Sequence, residues 1–304
     1  MSVNKDNIYT GVNTRTLYQT PGGRVFKSLE ELDQEYDIDA SVSDFDSIMN
    51  RFVSDSASTR EELDCTLDIS YGPTIAEKLD VFHGEPGGPV VVFIHGGYWK
   101  MATSKEFSFV ARGLVSQGAT VVIPTYALTP SVTMDEIVRQ HRAAITWAYN
   151  HAEDYGADPK QLVVTGHSAG AHGVAMVLAT DWENDYGLPA DIVRGACAIS
   201  GLFDLQPLPH TFVQPSLQLT WDQVLRNSPI LNLPKSAPPL LVTRGGKQTS
   251  EFLRQSDDFY TAWQASGLPG EYWTQPECNH FDELFPLAES DSELTNKIIQ
   301  LASS

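Results

Sequence analysis

Gly166, His167, Ser168, Ala169 and Gly170 spell G-x-S-x-G, between a β-branched run, "QLVVTG", and an apolar stretch, "AGAHGVAMVLAT". A serine hydroxyl becomes a useful nucleophile when a strained strand-to-helix turn lifts Oγ clear of the backbone and a neighbouring base takes its proton. The flanking glycines remove side chains that would collide in so sharp a turn. With a strand expected before it and a helix after it, Ser168 is the candidate nucleophile. Upstream, "FIHGGYW" ends another buried run with His95, Gly96, Gly97, Tyr98 and Trp99. A loop of this kind offers backbone N–H groups to a developing oxyanion. Gly97 and Tyr98 are the expected donors, joined by the N–H of Ala169, the residue after the nucleophile. Gly96 reads as a hinge, and His95 as a tie for its own loop.

The base must follow the nucleophile, after the last strand. "ECNHFDEL" places His280 there, among polar residues right after "GEYWTQP". His172 competes, but one helical turn beyond Ser168 it is better placed to pack beside the turn than to reach Oγ.

These groups need a scaffold that presents several strand ends together. "CTLDISYG", "EKLDVFHG", "PVVVFIH", "ATVVIPTY", "QLVVTG", "GACAISG", "PPLLVTRG" and "GEYWTQP" read as strands. From "PVVVFIH" onward they alternate with helical patterns such as "TMDEIVRQHRAAITWAYNHAEDYG", where Asp135 and Glu136 open the helix and Gly156 stops it. Strict alternation predicts an α/β class: a doubly wound, mostly parallel sheet with helices on both faces. The whole chain, 1–304, is expected to be one domain, with 1–60 a helical N-terminal extension and 202–238, rich in Pro and Leu, a small cap-like insertion over the strand ends.

Composition narrows the partners. A net charge of −19, from 20 basic and 39 acidic residues, argues against nucleic acid and anionic membrane surfaces. The acidity is diffuse. No apolar run approaches the ~18 residues of a membrane span, and the N-terminus shows neither a secretory nor a transit pattern. Cys65, Cys197 and Cys278 lack metal-ligand or redox spacing, so reduced thiols, a cytoplasmic location and no metal are expected.

Taken together, "LEELDQEYD", "LDISYGPTIAEKLDVF", "HGGYW", "GHSAGAH", "ISGLFDLQPL", "SEFLRQSDDF" and "NHFDEL" resemble the kynurenine formamidase (arylformamidase) family of α/β-hydrolases over residues 29–285. "HGGYW" sets that family apart from hormone-sensitive-lipase-like esterases, which usually show a third glycine. The resemblance implies an α/β-hydrolase fold, hydrolysis of the formamide of N-formyl-kynurenine, no metal or organic cofactor, and the same roles for Ser168 and His280. It also implies a triad acid on the loop after "LLVTRG", three residues before the Glu251-Phe252 pair, where this chain has Gln248. An amide brings no charge and can hold the imidazole in the wrong tautomer. In serine proteases that exchange lowers turnover by about 10⁴. Glu251 is the first choice to replace the acid. Asp282, a true Ser–His dyad, a more distant acid and weak or altered activity remain open.

Trp99, Tyr126 and Phe203, with Tyr98 and Trp221 nearby, fall on loops expected over the carboxyl ends of the strands, so an aromatic small-molecule substrate is expected to sit among them. Arg244 and Lys247 flank the acid loop and could receive a substrate carboxylate. The chain thus reads as a serine hydrolase of a small aryl formamide or amide, acting alone or as a homodimer. A broad carboxylesterase, or a binding protein of the same fold, is the alternative.

Overall fold

A computed structural model describes residues 16–303. A short antiparallel ribbon, β1 (Tyr18–Gln19) with β2 (Val25–Phe26), precedes helices α1 (Leu29–Tyr36) and α2 (Phe45–Glu62). The main sheet follows, from β3 (Cys65–Ser70), β4 (Lys78–Phe82), β5 (Pro89–Ile94), β6 (Thr120–Thr125), β7 (Asp158–His167) and β8 (Gly195–Ile199) to β9 (Leu240–Gly245) and β10 (Gly270–Gln275). Helices α3 (Ala111–Ser116), α4 (Met134–His151), α5 (Ala169–Leu178), α6 (Trp182–Tyr186), α7 (Gln214–Leu217), α8 (Trp221–Arg226), α9 (Ser250–Ala265) and α10 (Glu293–Leu301) lie between and after these strands.

The eight strands run in the order β10-β9-β8-β7-β5-β6-β4-β3. All pairs from β10 to β6 are parallel, and β4 and β3 join antiparallel as a hairpin around the "PTIA" turn. This is the α/β-hydrolase fold with its doubly wound, mostly parallel sheet. The central strands are covered on both faces, which is why β5, β7 and β8 are continuous apolar runs rather than alternating ones. From β5 the chain moves to β6 on one side, then returns to place β7 on the other. That reversal opens a crevice at the carboxyl ends of β5 and β7.

Between β5 and β6, residues 104–116 form two 3₁₀ turns followed by the short α3, and Phe107 and Phe109 both pack against Phe52 of α2. The 202–238 insertion is a chain of short turns and helices. It packs beside α4 through Asp135, which accepts hydrogen bonds from Arg226 and Asn227 at 2.7 and 2.9 Å.

The turn from β7 into α5 depends on absent side chains. A Cβ on Gly170 would lie 1.9 Å from the Ile94 carbonyl oxygen, so α5 can begin against the end of β5 only with glycine there. Gly170→Ala is expected to force helix and strand apart, destabilising the fold by about 1–3 kcal/mol or more. Thermal denaturation beside wild type checks this, and an unchanged Tm would contradict it.

Candidate active site

Ser168 stands between β7 and α5 with φ 56° and ψ −119°, a conformation that non-glycine residues avoid. Its N–H donates to the Ile199 carbonyl of β8 at 2.8 Å, so neighbouring strand ends hold the strain. Helix α5 starts at once and has no side-chain cap. Its first-turn N–H groups, Ala169 among them, therefore point unpaired toward the crevice with the positive end of the helix dipole.

The "HGGYW" loop forms the opposite wall. Gly97 has φ 108°, and a Cβ there would meet the Met101 carbonyl oxygen at 2.4 Å. Tyr98 and Trp99 also take positive φ, 49° and 55°. Three successive left-handed residues curl the loop back on itself. Among the described residues no backbone carbonyl accepts from the N–H of Gly97, Tyr98 or Ala169. His95 is buried, bonds the Gly96 carbonyl through Nδ1 at 2.8 Å and stacks on Tyr126, the tying role its position suggested.

His280 follows β10 on a loop locked by Asn279 and Asp282. Asn279 donates to both carboxylate oxygens of Asp282, at 2.7 and 2.8 Å, and its Oδ1 accepts from the N–H of Phe281. Asp282 is thus spent on the turn and does not meet the imidazole. His167 Nε2 donates to the His280 carbonyl at 2.7 Å, fastening this loop to the nucleophile's strand. His280 Nε2 is buried with no hydrogen-bond partner. Burial, with His167 beside it, holds the imidazole well below the usual histidine range. His172 instead bonds the Asn227 carbonyl through Nε2 at 2.8 Å and packs edge-on against Trp99.

The acid is where the structure departs from expectation. Glu251 does not reach His280: its Oε2 accepts from Arg254 at 2.9 Å and from the Tyr36 hydroxyl at 3.1 Å. The reason is helical geometry. Phe252, the next residue of α9, faces the imidazole at 4.6 Å between ring centres, and a neighbour about 100° round the helix faces α1 instead. Gln248 keeps the place of the expected acid. Its Oε1 accepts from His280 Nδ1 at 3.2 Å, while its Nε2 donates to Ser200 Oγ at 2.6 Å and to Glu283 Oε2 at 3.2 Å.

Glu283 was not singled out from sequence. Its carboxylate is fully buried, with Oε1 3.3 Å from His167 Nε2 and 3.9 Å from His280 Nδ1. Burial raises its pKa, opposed by His167, the Ser200 hydroxyl and the Gly245 N–H. The signal was its place three residues after the histidine, one helical turn away, in a segment that reads as an ordinary polar loop. Two histidines and a carboxylate are also a donor set that metals use, and these ligand atoms lie within 4.8 Å of one another. Here the His167 and His280 nitrogens that face the carboxylate carry protons given to a carbonyl and to an amide oxygen, so they offer no lone pairs.

A cavity of about 220 Å³ opens onto Ser168 and His280. The three aromatic residues expected to contact substrate do not line it. Trp99, Tyr126 and Phe203 are at most 1% exposed and roof the core: Trp99 on His172, Tyr126 on His95, Phe203 stacked on Phe259. The apolar walls come from Phe45, Met49 and Phe52 of α2, with Phe107, Phe281 and Phe212 of the insertion. Arg244 is committed to Asp257 and Lys247 to Glu277. The charged side chains at this cavity are instead Lys100, Asp37, Asp39 and Glu106. Sequence reasoning missed this wall because nothing local tells an apolar face that lines a pocket from one that packs.

Glu251→Gln is expected to weaken a buried ion pair, costing about 1–3 kcal/mol, while kcat of the folded protein stays within a few-fold of wild type. A fall of several orders of magnitude would return Glu251 to the chemistry. Because the buried His280 resists protonation, the acid limb of kcat/KM is expected below pH 6.5, with activity present above it and lost as pH falls further. A limb at or above that pH would contradict this environment.

Comparison with known proteins agrees with the architecture. The BD-FAE family model matches residues 79–263. The chain is 34% identical to kynurenine formamidases of Danio rerio and Salmo salar, in each case over 77% of this chain and 81% of the relative. It is 29% identical to the esterase LipQ of Mycobacterium tuberculosis, over 72% of this chain and 58% of that one. A crystal structure of a candidate thioesterase from a Silicibacter species superposes with a TM-score of 0.77 at 30% identity, covering 88% of this chain and 98% of the other. With this sheet and this serine turn, the chain belongs to the kynurenine formamidase-like family of α/β-hydrolases, a hydrolase of amide or ester bonds.

Proposed function

We propose that the chain hydrolyses a small aryl formamide of the N-formyl-kynurenine type through a formyl-enzyme. The observation that carries this reading is the cavity that Ser168 and His280 share, apolar along its walls and charged at Asp37, Asp39, Lys100 and Glu106. A cavity of roughly 150 Å³ already holds a benzene ring, so this volume suits one substituted aryl group. The amino-acid end of such a substrate carries an ammonium and a carboxylate, which Asp37 or Asp39 and Lys100 complement.

In this reading His280 Nε2 takes the Ser168 proton as Oγ attacks the formyl carbon. The N–H groups of Gly97, Tyr98 and Ala169 receive the oxyanion. As the C–N bond breaks, His280 returns the proton to the departing aryl amine. Water, activated by the same imidazole, then releases formate and regenerates the hydroxyl. Every group named comes from one chain, so no second copy is required. The catalytic unit is the sheet with its helices, to which residues 37–53 add a pocket wall and 202–238 the edge bearing Phe212. Three free thiols suit a reducing compartment, and we place the reaction in the cytoplasm.

Broad carboxylesterase activity is the second reading, favoured by the predominantly apolar walls. The two separate by kcat/KM. N-formyl-kynurenine is expected to exceed simple acetate and butyrate esters, and turnover no faster than theirs would overturn the formamide reading. Lys100→Ala is expected to raise KM for the formamide about tenfold with little change in kcat, as befits a contact made equally in ground and transition states.

A further inference from the structure

Five carboxylates are buried among the described residues, and four have a cation: Glu77 with Arg139, Asp80 with Lys105, and Asp204 and Glu251 with Arg254. Glu283 has none. Its surroundings are the Gln248 amide, Ser200, the Gly245 N–H and the imidazoles of His167 and His280. A buried carboxylate without a fixed cation is costly to ionise, and a positive charge that appears beside it lowers that cost.

The cationic state in reach is the imidazolium that His280 becomes when it takes the serine proton. We propose that the catalytic acid of this enzyme is divided, Gln248 supplying the hydrogen bond to His280 and Glu283 supplying the negative charge. Neither residue touches substrate, so both are positioning residues acting through His280.

The geometry gives each half a task. Glu283 Oε2 accepts from Gln248 Nε2, and this fixes which way the amide points. Gln248 Oε1 then faces His280 Nδ1 at 3.2 Å, which holds the proton on Nδ1 and leaves Nε2 as the base. The wrong-tautomer hazard of an amide at this position is thereby removed. The amide, polarised by an anion at its NH₂ end, presents a more negative oxygen to the ring. The other oxygen, Oε1, has no hydrogen-bond donor at rest and lies 3.9 Å from Nδ1, where a new positive charge would be felt directly. Both imidazole nitrogens near Oε1 are donors, and the Gln248 amide, the Ser200 hydroxyl and the Gly245 N–H also reach the carboxylate, opposing the burial that raises its pKa.

The inference rests on the serine-hydrolase reading, and Gln and Glu are nearly isosteric, so the two side chains can be exchanged. On N-formyl-kynurenine, Glu283→Gln is expected to lower kcat about 100-fold with KM within a few-fold. The double exchange Gln248→Glu with Glu283→Gln, which moves the charge into direct contact with Nδ1, is expected to restore kcat to wild type or above. A purely structural role for Glu283 would give no such rescue. Wild-type kcat in Glu283→Gln overturns the proposal, as does a folded double variant that stays as slow as the single one. If Glu283→Gln fails to fold, the double exchange alone decides, and its inactivity counts against the proposal. Ser168→Ala, run beside them, separates the two layers. Full turnover in Ser168→Ala defeats the hydrolase reading and this inference with it, whereas an inactive Ser168→Ala beside a fully active Glu283→Gln defeats the divided acid alone.

Discussion

Everything at this site depends on one strained residue. Ser168 is held at positive φ because β5, β7 and β8 end side by side and α5 must start within van der Waals range of the Ile94 carbonyl. The strain is local, but its support comes from the parallel core: the Ser168 N–H is bonded to β8, and the Ser200 N–H, one strand further, to Thr243 of β9. The same crowding leaves the first N–H groups of α5 unpaired at the crevice. One packing constraint therefore presents the hydroxyl and part of the expected oxyanion site together.

The electrostatics follow from burial. His280 is enclosed by Phe252, Phe281 and His167, which favours the neutral ring a base needs. An imidazole so enclosed pays a desolvation penalty whenever it becomes charged. Position 248 carries no charge, and the carboxylate buried in the same cluster is that of Glu283. The other buried carboxylates among the described residues sit conventionally, against Arg or Lys. Glu251, which looked like a stand-in acid, belongs to that structural group and ties α9 to α1.

Much of this was legible in the sequence, for identifiable reasons. The doubly wound sheet was, because its strands are continuous β-branched runs separated by amphipathic helices. The serine turn and the glycine loop were, because steric demands restrict which residues tolerate those conformations. His280 was legible by its position after the last strand. The acid was not, since a loop's path decides which carboxylate meets the ring: Glu251 and Phe252 are neighbours in sequence but face different sides of α9. The pocket wall was not, because α2 lies outside the sheet and its apolar face serves either packing or a pocket. Trp99, Tyr126 and Phe203 were misplaced for the converse reason, as large aromatics at strand ends here close the core.

The most direct test of the account is covalent labelling with a fluorophosphonate followed by peptide mapping. The account predicts a single adduct on the peptide carrying Ser168, lost in Ser168→Ala and formed far more slowly in His280→Ala. Intact wild-type protein that stays unlabelled, or an adduct on another residue, would contradict the assignment of this turn as the catalytic nucleophile.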